Sequence, residues 1–124
     1  MPRDPREAEA LGLLGLARRS GGVVSGVEGV RKGVLAGDLS LVIFASDASE
    51  VQLEKVEKLL RHHEVPVRWV SRREVLGHAV GGAQLSVLGV KSRSFADRLL
   101  TVLSPAPTER SGGGGGDGEP KEAR

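Results

Sequence analysis

The sequence predicts an α/β fold in which a sheet lies between layers of helix. Three observations carry that prediction. Helix-start signals recur along the chain, each followed by apolar residues at helical spacing. Between them stand short runs rich in β formers, bounded by polar or turn residues, that suit strands. At 124 residues the chain has room for one such alternating domain.

The elements follow in order. Asp4 precedes Pro5, with Glu7 three positions on, the pattern of a capped helix start with proline in its first turn. Leu11, Leu14 and Ala17 form an apolar stripe, and Gly21-Gly22 ends this helix. Val23-Val24 is a very short extended piece. Ser25 and Glu28 make an S-x-x-E capping box, and Val27, Val30 and Val34 keep helical spacing until Gly37-Asp38. Leu39–Ala45, LSLVIFA, reads as a buried central strand. Ser49 with Gln52 opens a helix carrying Val51, Val56, Leu59, Leu60 and His63. Pro66 stops it, and Val67–Val70 is the next strand. Ser71 with Glu74 opens a short helix that Gly81-Gly82 terminates. Leu85–Val90 is the last strand. Ser92 or Ser94 then caps a final helix with Phe95, Leu99, Leu100 and Leu103. Helix and strand alternate throughout, with no internal repeat.

Composition divides the chain in two. Ser104–Arg124 has no apolar run and consists largely of Gly, Pro, Ser and charge, which cannot offset chain entropy by burial. It is expected to be a disordered tail, leaving Met1–Leu103 as the folding unit. A domain of that size buries roughly 60–70% of its unfolded surface and needs no staples. The tail holds three basic and four acidic residues; removing them from 18 and 16 leaves 15 and 12, a net of +3 on the domain. Such a mild excess permits nucleic-acid binding without demanding it. The clustering says more: Arg18–Arg19, Arg31–Lys32, Arg72–Arg73 and Lys91/Arg93 are four short basic groups, each near an element end.

Several function classes fall away. Without cysteine there are neither disulfides nor thiolate metal sites. The first ten residues are charged, unlike a signal peptide, and no run approaches a membrane span. A soluble, cytoplasmic, monomeric protein is expected. No G-x-S-x-G elbow, Walker loop or G-x-G-x-x-G after a strand occurs, so no enzyme, cofactor or catalytic residue is expected. His62-His63-Glu64 contains ligand chemistry, but adjacent helical residues project about 100° apart and do not converge on an ion. His63 reads as a half-buried packing residue. Asp47 follows a central strand, where ligand groups often stand in α/β proteins, and also suits a turn. Glu28 can close the Ser25 box, pair with Lys32 one turn on, or accept from guanine N–H groups.

Five strings, in order, resemble the L7Ae/L30e ribosomal-protein family of kink-turn RNA binders, and more closely its bacterial YlxQ-like branch. They are GLARRSGGVVSG, GVEGVRKG, LVIFASDAS, VPVRWVSRREVLG and RSFADRL, spanning about Leu11–Leu103. The resemblance implies a three-layer α-β-α sandwich with a mixed four-stranded sheet, gripping a sharply bent RNA that contains tandem sheared G·A pairs. It also implies where the RNA sits. In the family a Gly-x-Asn-Glu-x-x-Lys segment opens the second helix; here Gly26 and Lys32 match it, with Arg31 beside them. Glu28 stands at the Asn position and Gly29 at the Glu position. Ionised Glu28 only accepts hydrogen bonds, whereas an Asn amide also donates. Ser49, Leu53 and Arg73 match further positions near the RNA, and Gly81–Gln84 matches a loop that touches a flipped-out nucleotide. The expected partner is therefore structured RNA, kink-turn-like or ribosomal, with ribosomal proteins as further partners. The alternative is a protein-assembly module that kept the fold without tight RNA recognition; a small enzyme or nucleotide binder built around Asp47 ranks third.

Overall fold

The computed structural model describes residues 4–107. Among the described residues nine elements alternate as expected: α1 Pro5–Arg19, β1 Val23–Ser25, α2 Gly26–Ala36, β2 Leu41–Ala45, α3 Glu50–Leu60, β3 Val67–Val70, α4 Arg73–Ala79, β4 Val87–Val90 and α5 Arg93–Val102. The sheet order is β1-β4-β2-β3. β2 and β3 are parallel, while β4 runs antiparallel to both β1 and β2, so the sheet is mixed.

Every residue of β2 and β4 is buried, which requires helices over both faces of the sheet. α2 packs with α3, and α1 packs with α4 and α5. The core runs through the middle of the sheet, from Leu14, Val30 and Val34 across Leu41, Ile43, Phe44, Val87 and Leu88 to Leu76 and Leu99. Trp69 of β3 sets its ring 5.0 Å from that of Phe44. Its backbone N–H donates to the Ser104 carbonyl at 2.9 Å, so the chain after α5 covers part of the β3 edge.

Some expected details shift. The buried stripe of α1 is Ala10, Leu13, Leu14 and Ala17, with Leu11 only partly covered. On α3 the inward positions are Leu53 and Val56, while Val51 is 63% exposed at the first turn. β2 and β4 are each two residues shorter at their starts than their apolar runs, because Leu39, Ser40, Leu85 and Ser86 serve the connections.

The caps are the larger correction. Asp4 Oδ1 accepts from Arg6 N, Ser49 Oγ from Gln52 N, and Ser92 Oγ (not Ser94) from Phe95 N, each as a helix N-cap does. The Ser25 and Ser71 boxes do not form. Ser25 makes no side-chain cap, and α4 starts beyond Arg72, also without one from its own cap residue. Glu28 and Ser71 have other partners, described below. From residue 108 on, the stretch read as a tail lies outside the described residues.

Candidate nucleic-acid interface

Strand direction decides which loops share an edge. β1, β2 and β3 all end, and β4 begins, on the same side of the sheet: Ser25 faces Leu88, Phe44 faces Val87 and Ala45 faces Val70. Three helix starts therefore meet there, those of α2, α3 and α4, together with the Leu85-Ser86 approach to β4. Gly26, Glu28, Gly29, Ser49 and Arg73 are brought to this edge or to the first turns just behind it, and Arg31 and Lys32 follow in the second turn of α2.

The tip of α2 follows β1 with no intervening loop. Ser25 is still extended (φ −110°, ψ 143°), and Gly26 takes φ +88°, a left-handed conformation that lets the chain turn directly into the helix. Because Ser25 does not cap, the first-turn N–H groups of α2 keep their partial positive charge with no side-chain acceptor upon them, suited to an anion. Glu28 is directed away from Ser25 and pairs with Arg31 at 3.3 Å. Of the partners open to it in sequence, Glu28 does not take Lys32, which stays exposed without an ion pair among the described residues. Gly29 is half-buried against Val24.

The start of α4 is held from two sides. Asp47 Oδ1 accepts from Arg73 N at 2.7 Å and lies 3.5 Å from its Nε. Asp47 is thus the borrowed cap of α4, tying the β2–α3 turn to the β3–α4 turn. Glu7, buried at 8% exposure, accepts from Ser71 Oγ at 2.6 Å and from Ser71 N at 3.1 Å. Sequence inspection missed both ties, since the partners lie 26 and 64 residues apart. The sequence offered Glu7 as part of the Asp4 start signal and Asp47 as a turn or ligand residue, and neither reading points to these partners.

Two expected residues stand apart. Leu53 is 8% exposed and belongs to the core, so its side chain is not presented at the surface. Gln84 is exposed, beside Leu85, whose N–H donates to the Arg73 carbonyl at 3.0 Å; the loop is pressed against Gly77, where an added Cβ would strike the Ala83 carbonyl. Gly81 lies instead beneath the Arg18 guanidinium. α3 ends at Leu60, so His63 lies beyond the helix expected to carry it, and its Nδ1 reaches back to the Leu59 carbonyl at 2.9 Å.

The family model described as Ribosomal protein L7Ae/L30e/S12e/Gadd45 matches residues 8–99. The chain belongs to this family. Among its relatives is the RNA-binding protein YlxQ of Bacillus subtilis, 36% identical over 91 residues, or 73% of this chain and 91% of that protein. A solved structure of a protein with unknown function from Bacillus halodurans shares 37% identity and a TM-score of 0.72, covering 77% of this chain and 96% of its own. The 15.5 kD RNA-binding protein of Giardia lamblia superposes with a TM-score of 0.64 at 21% identity, over 82% and 91% of the two chains; at that identity it speaks to the fold alone. Membership in an L7Ae/L30e-type family agrees with the expectation of a non-catalytic protein.

Proposed function

We propose that this protein is a non-catalytic, monomeric RNA-binding protein of the cytoplasm that grips a bent, kink-turn-like RNA at the edge where α2, α3 and α4 begin, in association with the ribosome. The observation that carries the reading is the uncapped α2 tip: Gly26 at φ +88° and a Ser25 that does not cap leave the helix start without a side-chain acceptor, on the helix that carries Lys32. Similarity to a Bacillus subtilis protein named as RNA-binding supports it. Phosphates would meet the α2 N–H groups, Lys32 and Arg73, and base edges would meet the side chains at 28 and 29. Arg31 and Ser49 flank that contact, while Gln84 stands apart from it, beside the Leu85 that bonds the Arg73 carbonyl. With Phe44 buried and Trp69 packed against it, the reading relies on backbone and edge contacts rather than base stacking.

The alternative, an assembly module, is favoured by one specific feature: Arg31, Arg72 and Arg73 are already paired with Glu28, Glu74 and Asp47. Those pairs are exposed or half-exposed, and such pairs contribute roughly 0–1 kcal/mol, so phosphate can displace them. A gel-shift titration of the full chain against kink-turn, duplex and unstructured RNA tests the proposal. Preference for the kink-turn is expected; no binding to any of the three at low salt would sink it in favour of the assembly module.

A further inference from the structure

The four basic groups of the sequence do not converge on one surface. Arg31–Lys32 and Arg72–Arg73 belong to the edge described above. Arg18–Arg19 and Lys91/Arg93 lie at the opposite edge, where β1 and β2 begin and β4 ends. Backbone contacts join these last two groups. Lys91 N donates to the Gly22 carbonyl at 2.7 Å, Gly22 N donates to the Ala17 carbonyl at 2.8 Å, and Gly22 lies against Ser92.

Charge pairing separates the two edges. At the α2 edge three of the four cations have carboxylate partners. At the opposite edge Arg18, Arg19, Lys91 and Arg93 are all exposed, and among the described residues none has an ion pair or a side-chain hydrogen bond. Two carboxylates are near in the chain. Asp38 stands two residues before Ser40, whose Oγ donates to the Lys91 carbonyl, and Asp97 stands one turn along α5 from Arg93. Both are exposed and neither pairs with these cations. The first turn of α5, which opens on this edge, holds Arg93 and no acidic residue. Like charges gathered at one edge repel, and a polyanion laid across them relieves that repulsion.

We propose that Arg18, Arg19, Lys91 and Arg93 form a second RNA surface, which holds the phosphate backbone of a segment other than the one at the α2 tip. It rests on the function proposed above only in taking RNA as the partner. Five residue steps of extended chain from Ser86 to Lys91 separate the edges by roughly 16 Å, so the sheet acts as a spacer between two strands or helices of RNA. This surface has no exposed aromatic ring, and its contacts are with phosphate rather than base.

The test uses the full chain saturated with an unlabelled kink-turn hairpin and titrates a labelled plain RNA duplex across a salt series. The wild-type complex is expected to bind the duplex with a steep salt dependence. Arg18→Gln, Arg19→Gln, Lys91→Gln and Arg93→Gln together should weaken duplex binding at least about tenfold and flatten the salt slope by roughly 0.9 for each phosphate no longer neutralised. Hairpin affinity should change by less than about twofold, since it is set at the other edge. Replacing the three arginines by Lys should retain the slope, which a folding defect would not allow. Equal duplex affinity and slope in wild type and the four-fold Gln variant overturn the proposal, as does a wild-type complex that binds no duplex at low salt. If the hairpin itself does not bind, kink-turn recognition at the α2 tip fails alone: the same duplex titration on the Lys32→Ala/Arg73→Ala chain still compares the two edges.

Discussion

Gly29 sits in the first turn of α2, and a Cβ built on it would meet only Val24 Cβ at 3.6 Å, an ordinary contact. A side chain can therefore leave the backbone there without a clash at its Cβ, and an acid in a first turn also suits the helix dipole. Glu28→Asn with Gly29→Glu is expected to raise kink-turn affinity about tenfold or more, as one added charged hydrogen bond of about 1.5–3 kcal/mol would do. Breaking the Glu28–Arg31 pair costs little, since that pair is exposed. A gel shift on the double variant checks this, and unchanged affinity would mean that positions 28 and 29 do not read the RNA. Lys32 and Arg73 belong to the same scale. Each Ala replacement should lower the slope of log affinity against log salt by about one. Arg73→Ala keeps the backbone N–H that Asp47 accepts, so the start of α4 should hold while the guanidinium is no longer there to meet phosphate. Equal slopes in wild type and both variants would remove these residues from the interface.

At the scale of elements, the edge is built by ties between neighbours rather than by each helix capping itself. α1 reaches the β3–α4 turn through Glu7, and the β2–α3 turn reaches α4 through Asp47. Glu7→Ala would strip two donors of Ser71 of their acceptor in a part-buried place, costing about 1–3 kcal/mol. Glu7→Gln keeps one oxygen and should cost less; urea denaturation orders the two, and equal stability of both with wild type would show the tie to be idle. Gly26→Ala tests the α2 tip. Nothing lies within 4 Å of a Cβ at Gly26, so the cost is that of the φ +88° backbone, about 1–2 kcal/mol. Element order was legible because stripes and breakers recur. The caps were half-legible: the Asp4, Ser49 and Ser92 signals are met locally, whereas Ser25 and Ser71 carry the same letters without the bond. A box pattern states only what is chemically available, and Gly26 at the turn and Glu7 from another helix decide otherwise.

For the whole molecule, the mixed sheet and its helical layers followed from the family resemblance and the alternation, but the distribution of charge did not. Four basic groups in one dimension become two edges in three, and only strand direction says which groups share an edge. The same holds for the outer strand. β3 is an edge strand, and Trp69 on it keeps its N–H bonded through the Ser104 carbonyl, just past the last residue of the Met1–Leu103 unit expected from composition. The chain just past Leu103 therefore still bonds to the sheet edge. A chain ended after Pro107 retains this bond and should melt with wild type. A chain ended after Leu103 loses the acceptor of Trp69 N and uncovers more of the β3 edge, at a cost of about 1 kcal/mol or a fall of roughly 4–8 °C in Tm. It should also associate more readily, since an uncovered strand edge offers unpaired N–H and C=O groups to another chain. Calorimetry with light scattering compares the two lengths. Equal melting and equal monodispersity would show that the segment after α5 does not protect the sheet, and the domain would then end where its apolar residues do.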